Sequence, residues 1–270
     1  MKNLFSVQDK VIVITGAAGV LGTSMVHHFA EQGAKVVILD RNEEAGRRLK
    51  EEVKAEGGEV MFLYTDVLDK QVLEGNYTEI MARYGRIDVL INGAGGNMAG
   101  ATIAPDKTIF DLDIEAVRKV VDLNLFGIIL PTMTFTRAMI EQKQGSIINI
   151  SSESAIRPLT RVAGYGVAKA AVTNFTKYMC GELATKYGDG LRVNAIAPGF
   201  FITEQNRTLL LNPDGSYTER SKTILAHTPY GRFGEPSELL GTLQWLASDA
   251  SKFVSGTMTV IDGGFDAFSI

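Results

Sequence analysis

Short runs of β-branched and aliphatic residues alternate with longer stretches of helical character along nearly the whole chain. The first run, Val-Ile-Val-Ile-Thr at residues 11–15, is typical of a strand that helices cover on both faces. Strands that alternate with helices predict right-handed βαβ crossovers and one parallel sheet. The strand-like runs are residues 11–15, 35–40, 59–64, 88–92, 146–150, 192–197 and 258–261, and the clearest helical stretches are 43–56, 115–139, 166–187 and 237–248.

The same pattern decides the number of domains. The chain has 270 residues, enough for one large domain or two small ones. About seven strands are spread over the full length, and no Pro- or Ser-rich linker interrupts them. The sequence therefore predicts a single α/β domain at residues 1–270, a Rossmann-type doubly wound parallel sheet with helices on both faces.

One long stretch, residues 200–233, lacks strand character and contains the turn signal Asn-Pro-Asp-Gly at 212–215. It follows the carboxyl end of a predicted strand, where ligands bind in open parallel sheets. We therefore expect this stretch to form a lid over a substrate site.

Charge balance and the scarcity of cysteine and histidine exclude several classes of function. The chain carries 27 Lys and Arg against 31 Asp and Glu and has no long basic run, which argues against a nucleic-acid partner. The single cysteine, Cys180, permits no intramolecular disulfide and fits a reducing compartment. None of the three histidines has the spacing of a metal site. Without a signal-peptide core or an apolar run of about 18 residues, we expect a cytoplasmic protein with no membrane partner.

A glycine-rich turn, Thr-Gly-Ala-Ala-Gly-Val-Leu-Gly at residues 15–22, follows the first predicted strand and opens a helix. Small residues there let the backbone approach a pyrophosphate, and the helix amino terminus offers unpaired N–H groups. Asp40 ends the second strand, 18 residues beyond Gly22, where a carboxylate can bind the adenosine ribose hydroxyls. Asp40 favours NAD because it would repel the 2′-phosphate of NADP. The neighbouring Arg41 could pair with that phosphate, so NADP stays possible, and the turn alone could be purely structural.

Tyr165 and Lys169 are four residues apart at the start of a helical stretch, so their side chains lie on one face. A nearby lysine charge is expected to lower the pKa of the phenol from about 10, which would let Tyr165 exchange a proton with a substrate hydroxyl or carbonyl. Ser152 precedes Tyr165 by 13 residues, just past the fifth predicted strand, and Asn124 lies in the helical stretch before that strand. By itself, the Tyr–Lys pair could be an ordinary pair on a helix surface.

Taken in order along the sequence, these residues and several further motifs resemble the short-chain dehydrogenases/reductases over essentially the full length. The further motifs are Asp66-Val67, Asn-Gly-Ala-Gly at 92–95, Pro198-Gly199 and Asp-Gly-Gly at 262–264. The sequence departs from the family pattern twice, because a glycine has moved from position 20 to position 19 and Gly93 replaces an asparagine. Neither change removes a backbone N–H donor, so cofactor binding is expected to survive.

The resemblance also implies roles for individual residues, with hydride passing between a nicotinamide cofactor and a substrate carbinol carbon. Ser152 would hold the substrate oxygen and Tyr165 would transfer the proton. Lys169 would lower the tyrosine pKa and bind the nicotinamide ribose, and Asn124 would hold a water molecule that links Lys169 to solvent. The residues implied to bind NAD or NADP are Gly16, Ala18, Gly19, Val20, Leu21, Gly22, Asp40, Arg41, Asp66, Val67, Asn92, Gly93, Ala94, Gly95, Tyr165, Lys169, Pro198, Gly199, Ile202 and Thr203.

Four segments narrow the resemblance to the D-mannonate oxidoreductases within this family, which interconvert D-fructuronate and D-mannonate. These are residues 92–97, 154–160, 198–207 and 227–236. Arginines in and near them could pair with a substrate carboxylate, although any one of them could equally be a surface residue. The residues predicted to bind the substrate are Asn97, Ser154, Arg157, Gln205, Asn206 and Arg207, with Arg161 as a further candidate.

Other functions remain open at this point. Gluconate 5-dehydrogenation or another keto-sugar reduction is the second choice after fructuronate reduction, and a β-ketoacyl reductase is less favoured because its substrate would prefer a more apolar pocket mouth. A nucleotide-sensing binding protein without catalysis would share the fold, but it would not need a tuned phenol. The resemblance further implies a homotetramer, with the apolar ending at residues 264–270 docked either on a neighbour or on its own core.

Overall fold

The computed structural model describes residues 3–203 and 207–268 and contains one sheet of seven parallel strands. The predicted Rossmann-type α/β fold is confirmed. The strands are β1 (Val11–Thr15), β2 (Lys35–Asp40), β3 (Val60–Tyr64), β4 (Val89–Asn92), β5 (Gly145–Ile150), β6 (Leu191–Pro198) and β7 (Met258–Ile261). They are ordered β3-β2-β1-β4-β5-β6-β7 across the sheet.

Helices connect the strands and cover the sheet. They are α1 (Val20–Glu31), α2 (Glu43–Ala55), α3 (Lys70–Tyr84), α4 (Ile114–Val121), α5 (Gly127–Gln142), α6 (Ala163–Tyr187), α7 (Arg207–Leu210), α8 (Glu219–Ala226) and α9 (Leu240–Ala247). Short 3₁₀ turns lie at Ala99–Ala101, Ile109–Asp111, Glu153–Ala155, Pro236–Leu239 and Asp249–Ser251.

The central strand β1 is apolar throughout because both of its faces are buried. Ile12 packs with Phe29 of α1 on one side of the sheet, and Val13 packs with Phe135 of α5 on the other. Alternate residues of a strand point to opposite faces, so each helix layer meets its own set of strand side chains. This is the arrangement that the uninterrupted apolar run predicted.

The helix predicted at residues 115–139 is a longer helical run, residues 114–142, in which α4 and α5 are joined by a π-helical segment at Asp122–Phe126. Such segments occur frequently at functional sites, and Asn124 lies inside this one. By length and composition the run could cross a membrane, but 56% of its most apolar window is buried inside the fold. Its apolar character is therefore explained by packing within this domain.

The described part of the stretch predicted to be a lid contains α7, α8 and a small packed cluster. Leu210, Ile224 and Phe233 are buried together, and the partly buried Phe200 and Ile202 pack against them. This cluster is separate from the two main cores that flank the sheet. Its closure over a substrate remains a prediction.

Candidate active site

The strand order brings the predicted cofactor segments to one edge of the sheet. β1 and β4 are neighbours, and the direction of winding reverses between them. At such a switch point the loops that follow the two strands diverge and leave a crevice for a ligand. The glycine turn after β1 and residues 93–97 after β4 flank this crevice, while Asp40 ends β2 and Asp66 follows β3.

Two glycines of the turn, Gly16 and Gly22, lie too close to neighbouring backbone to carry a side chain. Gly16 has a φ of +65°, and a Cβ there would lie 2.8 Å from the Cα of Ala94. A Cβ on Gly22 would lie 2.4 Å from the carbonyl oxygen of Gly16. Helix α1 begins at Val20, and Gly19 before it provides no side-chain cap. The turn therefore fits the pyrophosphate of a dinucleotide, which binds the N–H groups of an uncapped helix amino terminus.

Thr15 joins this turn to the loop after β4. Its Oγ1 accepts hydrogen bonds from the N–H groups of Gly93 and Ala94, both at 3.1 Å. The Asn92 side chain is buried inside the fold, where its Nδ2 donates to Thr132 Oγ1 at 2.9 Å and to Asn149 Oδ1 at 2.8 Å. The 92–95 segment thus lies beside the glycine turn, and the asparagine side chain has a structural role there.

The carboxylate of Asp40 is held in place by two backbone N–H groups. Its Oδ2 accepts a hydrogen bond from Ala18 N at 2.9 Å, and its Oδ1 accepts one from Asn42 N at 2.8 Å. The carboxylate is therefore fixed against the glycine turn, whereas Arg41 is exposed. Asp66 follows β3 and accepts from Leu68 N at 2.9 Å, with the buried Val67 beside it.

Asn124 is completely buried and clamps the loop after β4 to the π-helical segment. Its Nδ2 donates to the carbonyl oxygens of Gly96 at 2.6 Å and Val120 at 2.8 Å, and its Oδ1 accepts from Gly96 N at 3.0 Å. A Cβ on Gly95 would lie 2.7 Å from Asn124 Oδ1 and 3.3 Å from Lys169 Nζ. The amide, the Gly95 backbone and the ammonium therefore meet at one point, and the water-binding role of Asn124 stays a prediction.

Ser152, Tyr165 and Lys169 line one cavity at the carboxyl edge of the sheet. Ser152 follows β5, and the other two lie one turn apart at the start of α6. The Lys169 Nζ donates to Ile150 O at 2.8 Å and lies 5.6 Å from the centroid of the Tyr165 ring. The phenol of Tyr165 forms a hydrogen bond with the hydroxyl of Ser152. The structure thus brings together the side chains on which a proton transfer would depend.

The expectation of a lowered pKa for Tyr165 is wrong for this structure, because the net shift is upward. Burial raises the pKa of the phenol, and the hydrogen bond to Ser152 opposes that shift only in part. Burial also lowers the pKa of Lys169 to about 8. The physical reason is desolvation, which penalises the charged forms of both groups, and the sequence spacing alone does not report it.

The cavity has a volume of about 260 Å³ and is open to solvent. Several of the residues predicted to bind the cofactor or the substrate line it, namely Leu21, Gly93, Gly95, Asn97, Pro198, Gly199 and Thr203. Asn97 donates from Nδ2 to Thr102 Oγ1 at 2.9 Å. Leu159, Val162 and Phe200 add apolar wall on the side of the lid.

Other predicted substrate residues lie away from this cavity. Arg157 donates from Nε to Asp266 Oδ1 at 2.8 Å and from its guanidinium to the Asp266 carbonyl oxygen, so it holds the carboxyl-terminal segment. Arg161 donates to Ile103 O at 2.7 Å. Arg207 is exposed at the start of α7. None of these three arginines lines the cavity itself.

Two further predicted residues, Ser154 and Ile202, are not part of the cavity wall either. Ser154 is buried, and its N–H donates to Ser152 Oγ at 3.2 Å. Ile202 packs in the apolar cluster of the lid. Gln205 and Asn206, which were also predicted to bind the substrate, lie outside the described residues.

Two charged residues that sequence reasoning missed do line the cavity, Arg220 on α8 and Glu153 next to Ser152. Arg220 lies 55 positions from Tyr165 in the sequence, and no motif marks it. Glu153 directly follows the predicted catalytic serine, so position alone could have drawn attention to it.

Glu153 is only 1% exposed, and neither of its carboxyl oxygens has a hydrogen-bond partner among the described residues. Burial first, and then the negative charges of Asp266 and Asp262, raise its pKa from 4.5 to about 7, while Arg157 opposes this shift. The two aspartates belong to the segment after β7, where Asp262 Oδ2 accepts from Asp266 N at 2.6 Å. The buried carboxyl group of Glu153, next to Ser152 in the chain, is therefore close to its midpoint of ionisation at neutral pH.

Comparisons with known proteins identify the family to which this chain is similar. The family model described as short chain dehydrogenase matches residues 10–213. An uncharacterised oxidoreductase of Bacillus subtilis, UxuB, is 43% identical over 96% of this chain and 96% of its own length. A Haemophilus influenzae protein proposed to be a D-mannonate oxidoreductase, solved with bound NAD, is 39% identical, has a TM-score of 0.91 and matches over 99% of both chains.

A more distant solved structure points to a related activity. A gluconate 5-dehydrogenase of Burkholderia cenocepacia in complex with NADP and tartrate is 33% identical, with a TM-score of 0.88 over 98% of both chains. These likenesses extend over nearly the whole chain.

Proposed function

Because this chain belongs to the short-chain dehydrogenase family, we propose that it uses NAD to interconvert a sugar-acid ketone and the corresponding alcohol, with D-fructuronate and D-mannonate as the substrate pair. The observation that carries this proposal is the convergence of Ser152, Tyr165 and Lys169 on one cavity that Arg220 also lines. A hydroxyl, a phenol and an amine serve carbonyl reduction, and a guanidinium suits an acidic substrate.

The nicotinamide cofactor, when bound, supplies or accepts the hydride. The protein would hold its pyrophosphate at the amino terminus of α1 and its adenosine ribose at Asp40, next to Ala18. On the opposite side of the crevice, Lys169 lies close enough to the loop after β4 to bind the second ribose.

The proton would move through the side chains on α6 and after β5. The Ser152 hydroxyl would donate to the substrate carbonyl oxygen, and the Tyr165 hydroxyl, already hydrogen-bonded to Ser152, would deliver the proton to that oxygen. The Lys169 ammonium beside the ring would stabilise the phenolate left behind. Asn124 would act by fixing the loop that approaches Lys169.

The size of the cavity favours a compact substrate. Small-molecule sites are usually about 300–1,000 Å³, and about 260 Å³ must here receive both the reacting end of the cofactor and the substrate. A sugar acid suits that space better than a long acyl group. The likeness to a protein proposed to be a D-mannonate oxidoreductase supports this choice.

Gluconate 5-dehydrogenation is the second candidate, because solved relatives with that name, one holding tartrate, have TM-scores of 0.87 and 0.88. Oxidation of NADH should be followed with D-fructuronate, 5-ketogluconate, an uncharged ketose and acetoacetyl-CoA. Rapid oxidation with fructuronate supports the first proposal, and preference for 5-ketogluconate supports the second. Turnover of acetoacetyl-CoA alone would indicate an acyl reductase, and binding of NADH without turnover of any ketone would indicate a sensor.

Asp40 should make the enzyme prefer NADH to NADPH. Replacing it with asparagine keeps an acceptor for Ala18 N but removes the charge that would face a 2′-phosphate. We expect Asp40→Asn to raise kcat/KM for NADPH relative to NADH by about tenfold to a hundredfold. Arg41→Ala is the control: if it removes NADPH activity while Asp40→Asn changes nothing, the arginine decides the preference.

We also propose a cytoplasmic homotetramer. Large apolar side chains are exposed on two neighbouring stretches of helix. They are Met133 on α5 with Phe126 directly before that helix, and Val167 and Tyr178 on α6. Contacts between copies would bury them. Light scattering on the purified protein should give a mass four times that of the 29.3 kDa protomer.

A further inference from the structure

Arg220 enters the cavity from the lid, on a different element from the proposed catalytic residues. Its guanidinium donates to Thr160 Oγ1 at 3.1 Å and to the Thr160 carbonyl oxygen at 3.4 Å. Thr160 belongs to the short segment between Ser152 and Tyr165. Arg220 therefore joins α8 to the segment between Ser152 and Tyr165, and it also forms part of the cavity wall.

The surroundings of Arg220 disfavour the positive charge of its guanidinium group. The side chain is partly buried, and burial together with the neighbouring positive charge of Arg161 lowers its pKa. Arg161 donates a hydrogen bond to Ile103 O, and this contact holds its guanidinium group near that of Arg220. Two like charges beside a cavity make a favourable position for an anion, and a planar guanidinium binds a carboxylate through two parallel hydrogen bonds.

We propose that Arg220 binds the carboxylate of the substrate and so makes the enzyme selective for sugar acids over neutral sugars. This inference rests on the proposed function and adds to it the residue that recognises the acid group. Arg220 would then bind the carboxylate, and Ser152 and Tyr165 would bind the ketone. The two ends of the substrate would be held by residues from different elements that line the same cavity.

The arginines that the sequence suggested are less suited to this role. Arg157 already pairs with a carboxylate, Asp266, and an ion pair of this kind would have to break before a substrate could replace it. Arg207 is exposed and does not line the cavity. Arg220 combines a position in the cavity wall with a positively charged neighbour.

The test compares Arg220→Gln and Arg220→Lys with the wild type, using D-fructuronate and its uncharged methyl ester as paired substrates. Glutamine keeps a polar side chain near Thr160 without the charge. A hydrogen bond to a charged partner contributes about 1.5–3 kcal/mol, so we expect Arg220→Gln to raise KM for the acid about tenfold to a hundredfold and to leave KM for the ester unchanged. Lysine should restore part of the loss, because it keeps the charge but not the bidentate geometry.

Lys222→Gln is the matched control, since Lys222 lies on the same helix, is 62% exposed and pairs with Glu219. Its kinetics should equal those of the wild type, and thermal unfolding should confirm that all variants fold. Equal losses for acid and ester in Arg220→Gln would overturn the inference, as would an effect found in Arg157→Ala instead. A wild-type enzyme that reduces only neutral ketones would overturn the proposed function as well, whereas normal reduction of fructuronate by Arg220→Gln would overturn this inference alone.

Discussion

Replacing Tyr165 with phenylalanine should reduce kcat by more than about a hundredfold while leaving the binding of NADH unchanged. General acid catalysis contributes about 10²–10⁴ to a rate, and the substitution removes only the hydroxyl that would carry the proton. The ring itself packs against Ala101, Ala116 and Val120, and phenylalanine keeps those contacts. Steady-state NADH oxidation and the quenching of protein fluorescence by NADH measure the two effects separately.

The control for this prediction is Tyr187→Phe, which removes a hydroxyl from the carboxyl end of the same helix at a side chain that is 44% exposed. Its kcat should equal that of the wild type. Retained turnover in Tyr165→Phe would contradict the proposed chemistry. Loss of NADH binding would instead show that the phenol, and not only the glycine turn, is needed to hold the cofactor.

The pattern of strands was predictable because a parallel strand buried on both faces must be apolar over its whole length. β1, β2 and β7 begin and end at the predicted residues, and the other strands differ by one or two residues at their ends. Pairing with a neighbour extends β5 and β6 beyond the predicted ends, as the first and last residues of β6 pair with Gly145 and Ile261, whereas β3 and β4 each begin one residue later than predicted. Local sequence does not contain that information.

The candidate site was predictable only where it depends on motifs. The positions of Ser152, Tyr165 and Lys169 follow from a strand end and one helical turn, so the sequence located them together. The partner of Arg157 could not be predicted, because Asp266 lies 109 positions away and reaches it only when the segment after β7 folds back. Arg220 could not be predicted either, since its place in the cavity depends on how α8 packs.

The directions of the pKa shifts show the same limit. Spacing places an ammonium near a phenol, and the Coulomb interaction alone would lower the pKa of Tyr165. Burial reverses that outcome in the structure and also lowers the pKa of Lys169 to about 8. Desolvation is a property of the whole fold around the pair, so it enters only when the three-dimensional arrangement is known.

Replacing Glu153 with glutamine should remove a loss of stability that the wild type suffers as the pH rises. The pKa of this carboxyl group is raised from 4.5 to about 7 by burial first and then by the charges of Asp266 and Asp262. The folded protein therefore binds more protons here than the unfolded state binds between those two pH values. The contribution of this group to stability is fully present below about pH 4.5, falls as the pH rises, and is lost above about pH 7.

The size of this effect follows from the shift. A displacement from 4.5 to about 7 corresponds to at most about 3 kcal/mol, and rearrangement of water and side chains around the ionised group reduces it. Glutamine has nearly the same shape and stays neutral. We expect Glu153→Gln to match the wild type near pH 5 and to exceed its free energy of unfolding by about 1–3 kcal/mol at pH 8.

Urea denaturation at pH 5, 6, 7 and 8, at one protein concentration so that association does not differ, measures both curves. Glu79→Gln is the matched control, because it makes the same chemical change at a side chain that lies exposed on α3. Parallel curves for the wild type and Glu153→Gln would show that Glu153 ionises freely, for instance by turning toward Arg157. A steeper loss in the wild type, confined to the interval between about pH 4.5 and pH 7, would instead identify Glu153 as the group whose ionisation destabilises the fold, through its burial first and then through the charges of Asp266 and Asp262.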